Sequence, residues 1–243
     1  MVPKSFKYAT IILLIFLAAC KDAPKTTTVA PIESEATDSI NEAENSDKES
    51  EPIQEEEEEP FVLTEENAID FFFTYQKDLP KTRVKLTTNL GSFVIELYDN
   101  VPYHKANFIY LTKKGYFNNT MFHRVVKGFI IQGGNADNVA TAKKRREIGK
   151  YLLPPDTRKG YKHHRGTISM PSSELDNPHM LASPYEFFIV VTKPGSYHLD
   201  GNYTPFGRVI QGMDVVDLIN IQPVDDGDWP SKNILIEKAE IVD

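Results

Sequence analysis

The sequence predicts a mainly β fold, a closed barrel or a sandwich, over residues 61–243. Three observations predict it. Short runs of β-branched and aromatic residues recur from Val84 to Val242, Gly-containing turns separate them, and only two internal segments have helical spacing. In chain order, Thr64 is placed to cap a helix to Gln76, with Ala68, Phe71, Phe72 and Tyr75 on one stripe. That stripe either packs on its own domain or offers a face to a partner. Val84–Thr88 and Phe93–Tyr98 alternate around Asn89-Leu90-Gly91-Ser92, which is a hairpin signature. A helix is expected over Tyr103–Lys114, with Pro102 at its start and Gly115 after its end. Strands follow at Met121–Val126, Phe129–Gln132, Thr167–Met170, Phe187–Val191 and Phe206–Ile210. A short helix at Gly212–Asn220 and a strand at Ile234–Val242 complete the set.

The first sixty residues read differently. Lys4 and Lys7 precede an apolar run, Ala9–Ala19, about half the ~20 residues that a membrane-spanning helix needs. Residues 1–19 therefore read as a secretory signal. The only cysteine of the chain, Cys20, follows Leu17-Ala18-Ala19, and Leu-Ala-Ala-Cys resembles a bacterial lipoprotein box. That resemblance implies lipidation of Cys20 and a membrane anchor; the alternative is a plain signal peptide with a chance cysteine. Lys21 after Cys20 points to the outer membrane or the periplasmic face rather than the inner membrane. Residues 21–60 hold 14 acidic and 3 basic residues and almost no large apolar ones, so they are expected to be a disordered tether. A calcium site there has no ligand spacing to support it.

The formal charge of −8 belongs to that tether. Residues 61–243 carry a net +1, which argues against a strongly basic nucleic-acid binder. One cysteine excludes an internal disulfide and a Cys-rich zinc site. No G-x-S-x-G, H-E-x-x-H, P-loop or dinucleotide fingerprint is present. His163-His164 lie side by side in a basic stretch and give poor metal-ligand spacing.

The segment Phe122-His123-Arg124-Val125-Val126-Lys127-Gly128-Phe129-Ile130-Ile131-Gln132-Gly133-Gly134 stands out. Strict alternation would point Phe122, Arg124 and Val126 to one side and His123 and Val125 to the other. The result is a cation among aromatics with an amide nearby; read alone, the segment is better described as a surface arginine on a hydrophobic hairpin.

This segment resembles the signature of cyclophilin-type peptidyl-prolyl cis-trans isomerases. Gly166-Thr-Ile-Ser-Met170, Phe187-Phe188-Ile189, Leu199-Asp200-Gly201, Phe206-Gly207-Arg208-Val209 and Gly212–Val216 resemble further family blocks in family order. The resemblance covers about 83–243 and implies an eight-stranded antiparallel β-barrel capped by two α-helices. Residues 61–82 would form an extra helical extension. It implies Arg124, Phe129 and Gln132 as catalytic residues, with Gln132 holding the Arg124 guanidinium. Substrate would meet Phe122, His123, Val126, Ile130, Pro171, Ser172, Glu186, Phe188, His198, Leu199 and Tyr203. Proline-containing polypeptides are the implied partners, with no cofactor, no metal and a monomeric state.

Five positions depart from the family pattern. Glu186 replaces a frequent glutamine and would either pair with Arg124 or orient it. His198 stands at a tryptophan position, and Tyr203 replaces a pocket histidine. Pro171-Ser172 stands for Ala-Asn, which removes a backbone donor. Those departures leave a rival reading, a catalytically weak peptide-binding chaperone or scaffold. Residues 143–165 carry a net +7 and read as a solvated insertion loop. The other two readings are a surface for anionic envelope components and a dock for the chain's own Glu55–Glu59.

Overall fold

The computed structural model describes residues 61–80, 82–172 and 178–242. The expectations for the signal segment, Cys20 and the tether lie outside them. Eight strands close an antiparallel barrel in the order β1-β2-β7-β5-β6-β4-β3-β8. They are β1 (Arg83–Thr88), β2 (Gly91–Leu97), β3 (Thr120–Val126), β4 (Ile130–Asn135), β5 (Thr167–Ser169), β6 (Phe187–Val190), β7 (Pro205–Gln211) and β8 (Ile234–Val242). Closure leaves no unpaired sheet edge.

Alternation explains the first hairpin. Val84 and Leu86 of β1, with Phe93, Ile95 and Leu97 of β2, point inward and are buried. Helix α2 (Pro102–Lys113) begins with Pro102 in its first turn, where a missing N–H costs nothing. Its Phe108 packs against Phe117, Phe187 and Phe206. Helix α4 (Met213–Asn220) buries Val216 and Ile219.

Helix α1 (Ala68–Tyr75) starts later than the sequence suggests. Thr64 does not cap it; the Thr64 N–H instead donates to Asn67 Oδ1 at 2.8 Å. The expected stripe turns inward: Ala68 and Phe72 are buried, and Phe71, Phe72 and Tyr75 pack around the Tyr110 ring of α2. Leu63, just before α1, is fully buried and bonded through its backbone to Ile148 and Lys150. Gly149 permits this approach, with φ +128° and no side chain to overlap the Leu63 carbonyl.

Two expectations are corrected. Residues 143–165 are not a plain loop, because they begin inside a third barrel-domain helix, α3 (Val139–Ile148), capped by Asn138 accepting from the Thr141 N–H at 2.8 Å. Only Thr141 and Ile148 of α3 are buried, so it has no apolar stripe for a periodicity reading to find. The alternation along β3 is also broken. Phe122 pairs with Gly133 and Arg124 with Gln132, so His123 is the extra residue of a β-bulge.

Candidate active site

The bulge decides which way β3 presents its side chains. Phe122 and Val125 enter the barrel, whereas Arg124 is exposed and Val126 half-buried on the outside. Phe122 is therefore not a substrate contact. Its ring is buried among Phe93 and Phe187 in the barrel interior.

Outside the barrel a second, separate apolar cluster forms. Ile130, Phe188 and Val190 are buried in it, and Val126, Phe129, Leu199 and Tyr203 pack against them half-exposed. Tyr203 meets the Phe188 ring edge-on at 5.4 Å. His198 stacks on Phe129 at 5.4 Å. Three separate stretches of chain, 126–130, 188–190 and 198–203, thus build one small apolar basin, sized and shaped by rings.

Register ties this basin to the cation. Arg124 pairs with Gln132, Gln132 with Phe188, and Phe188 with Ser169, giving one row across β3, β4, β6 and β5. Residues directly opposite one another share a face, with Cβ atoms about 4.5–5.5 Å apart per step. The guanidinium, the amide and the pocket ring are therefore neighbours by strand pairing.

Gln132 does not hold Arg124, however. Its Nε2 donates to Glu186 Oε2 at 2.9 Å. The only ion-pair or hydrogen-bond partner of Arg124 among the described residues is Asp228, at 3.4 Å. Glu186 in turn does not reach Arg124. Its carboxylate lies 3.4 Å from His123 Nε2 and 3.7 Å from the Arg145 guanidinium. Burial raises the Glu186 pKa, but His123, Gln132 and Arg145 together bring it below the ordinary value. Gly134 allows this approach at φ +97°, since a Cβ there would lie 2.5 Å from the Tyr185 carbonyl. Pro171 and Ser172 follow β5, and the Pro171 carbonyl accepts from the Ser183 N–H at 2.8 Å.

Several supporting residues escaped the sequence reading. His163 is fully buried and stacks parallel to Phe188 at 6.2 Å. Its Nδ1 lies 2.8 Å from Asp200 Oδ1 and its Nε2 3.0 Å from Ser169 Oγ. A carboxylate only accepts, so Nδ1 carries the proton and Nε2 accepts from the serine hydroxyl. Burial lowers the His163 pKa against the pull of Asp200, which keeps the ring neutral. The signal in the sequence is the Leu199-Asp200-Gly201 block, whose Asp200 is the carboxylate that fixes His163. Asn220 of α4 clamps the β3–β4 turn. It accepts from the Gly128 N–H at 2.8 Å and donates to the Val126 and Ile130 carbonyls.

Comparison with known proteins agrees with this geometry. Residues 83–241 match the family described as cyclophilin type peptidyl-prolyl cis-trans isomerase/CLD. The chain belongs to this family. It is 38% identical over 160 residues to peptidyl-prolyl cis-trans isomerase-like 3 of Dictyostelium discoideum, covering 65% of this chain and 94% of that one. It is 37% identical to peptidyl-prolyl cis-trans isomerase-like 2 of Rhizopus delemar over 70% of this chain, but spans only 30% of that protein's length. A bacterial relative, the peptidyl-prolyl cis-trans isomerase of Acinetobacter baylyi, is 38% identical over 145 residues, covering 58% of this chain and 73% of its own. A crystal structure of a Cryptosporidium parvum cyclophilin type peptidyl-prolyl cis-trans isomerase superposes with a TM-score of 0.57 at 29% identity, covering 68% of this chain and 99% of its own. That cyclophilin was also crystallised in the presence of the dipeptide Ala-Pro.

Proposed function

We propose that this cyclophilin accelerates isomerisation of X-Pro bonds in exported or envelope proteins, working from a lipid anchor on Cys20. The observation that carries the reading is the row Arg124–Gln132–Phe188, which sets a guanidinium beside an apolar ring pocket outside the barrel.

Amide resonance opposes rotation by about 18–20 kcal/mol. In the twisted state that resonance is lost, and the proline nitrogen becomes a pyramidal hydrogen-bond acceptor. No proton transfer, nucleophile or metal is needed for the bond to turn. Phe129, Ile130, Phe188 and Leu199 hold the proline ring by burying it. Arg124, always charged and rigidly forked, donates to the nitrogen as its lone pair localises, a contact stronger in the twisted state than in either planar one. Substrate displaces Asp228 from Arg124; a pair this exposed contributes only about 0–1 kcal/mol and yields readily.

The rival reading, a peptide-binding module with weak catalysis, is favoured by two features. Asp228 occupies the guanidinium, and Pro171 offers substrate no N–H. Peptide binding without acceleration would establish it.

The anchor rests on the signal-like run and on Cys20 being the sole cysteine. Two acyl chains or more on one residue give stable anchoring. Expression in a bacterial host with labelled fatty acid tests this. The wild-type chain should incorporate label and fractionate with membranes, and Cys20→Ser should do neither. Label in Cys20→Ser, or unlabelled soluble wild type, would contradict the anchor.

A further inference from the structure

We infer that Glu186 is a positioning residue for isomerisation, acting by fixing the orientation of the Gln132 side-chain amide. The inference rests on the isomerase reading above and adds a role for α3, whose Arg145 reaches Glu186.

Glu186 directly precedes β6, and its side chain is 19% exposed. Three elements converge on it. Gln132 Nε2 from β4 donates at 2.9 Å, His123 Nε2 from the β3 bulge lies at 3.4 Å, and the Arg145 guanidinium from α3 lies at 3.7 Å. Arg145 is itself fixed. Its Nε donates to Tyr116 Oη at 2.9 Å, and the guanidinium lies 5.1 Å from the centre of the Tyr185 ring. Tyr116 Oη then donates to the Gly134 carbonyl at 2.8 Å. The carboxylate is thus held in place from behind, with a fixed positive charge to offset its desolvation.

The chemistry of a carboxylate decides what Gln132 does. A side-chain amide has a donor end and an acceptor end, and either can face an amide neighbour. A carboxylate accepts only. Glu186 therefore admits one orientation of Gln132, with the NH2 group toward itself. The carbonyl oxygen is left facing away, and among the described residues nothing bonds to it. The cross-strand neighbour of Gln132 on that row is Arg124, whose guanidinium carries donors only. In the flipped orientation the amide NH2 would face the guanidinium, donor against donor. Glu186 keeps an acceptor at the edge of the reacting bond, available to Arg124 and to a substrate N–H.

The test compares the full-length wild type with Glu186→Gln and Arg145→Met, by peptide isomerisation kinetics and by NMR of the Gln132 side-chain amide, assigned with Gln132→Ala. Glu186→Gln is nearly isosteric and keeps a hydrogen-bonding group, so it should fold. Expected is a single pair of Gln132 amide signals in the wild type, moved and broadened in both variants. kcat should fall roughly 3- to 10-fold with a smaller change in KM, because orientation is lost rather than binding. Unchanged Gln132 signals in Glu186→Gln would overturn the inference. So would altered signals with unchanged kcat. A wild type that binds peptide without accelerating isomerisation would instead sink the isomerase reading, whereas the NMR comparison would still report whether Glu186 orients Gln132.

Discussion

Arg124 faces outward because His123 is the extra residue of a bulge, so one residue of irregularity sets the chemistry of a whole face. At this same scale the structure holds a histidine with no chemical task. His104 of α2 is fully buried, and neither ring nitrogen has a hydrogen-bond partner among the described residues. Burial pushes its pKa from 6.5 down to about 3. The unfolded chain therefore takes up this proton first. The stability tied to the neutral ring is complete above pH 6.5 and drains away as pH falls toward 3. His104→Leu should remove that dependence, and it also removes two unpaired polar atoms. Urea unfolding at pH 7 and pH 4.5 should show a clearly smaller loss for the variant. Equal losses would assign the acid sensitivity elsewhere.

Elements explain what could be read in advance. The hairpin of β1 and β2 and helix α4 were legible because apolar residues recur with the period of their element, and α2 was legible from Pro102 at its start and Gly115 after its end. The apolar basin was legible residue by residue only through resemblance, since Phe129, Phe188 and Leu199 lie on separate stretches of chain. Helix α3 was not, because its surfaces are polar and its stability comes from the Asn138 cap and from tertiary contacts of Lys144 and Arg145. The destination of Phe122 was misread because alternation cannot anticipate a bulge. The partners of Gln132, Glu186 and Arg124 were misread because α3 and the loop bearing Asp228 come from elsewhere in the chain. The β3–β4 hairpin carries its own prediction. Asn220→Ala removes three hydrogen bonds from the turn, those to the Gly128 N–H and to the Val126 and Ile130 carbonyls, at about 0.5–1.5 kcal/mol each. The turn that places Phe129 then loosens, so KM should rise several-fold with kcat less affected; an unchanged KM would mean the turn holds without its clamp.

Across the whole molecule, charge is less available than composition suggests. Of the nine cations in residues 143–165, Lys144 bonds the Gly115 and Asn118 carbonyls, Arg145 meets Glu186, Lys162 pairs with Asp200, and Arg165 holds Asp217 and the Val191 carbonyl. Lys143 and Lys159 pair with Glu147 and Asp156, so the side chains of Arg146, Lys150 and Arg158 alone have neither an ion-pair nor a hydrogen-bond partner among the described residues. A stretch with so many cations committed internally is a poor dock for Glu55–Glu59. Deleting residues 51–60 should leave peptide isomerisation unchanged at low and high salt; a rise confined to low salt would show that the acidic run does dock.

In the proposed function Arg124, beside the ring pocket, lowers the barrier to X-Pro rotation. The most direct test of this role is the cis-to-trans rate of an Ala-Pro-Phe peptide with the full-length chain and with Arg124→Ala. Acceleration by the wild type, reduced roughly 10²- to 10³-fold in a variant that still folds and binds peptide, is the predicted result. Acceleration that survives in Arg124→Ala would contradict it.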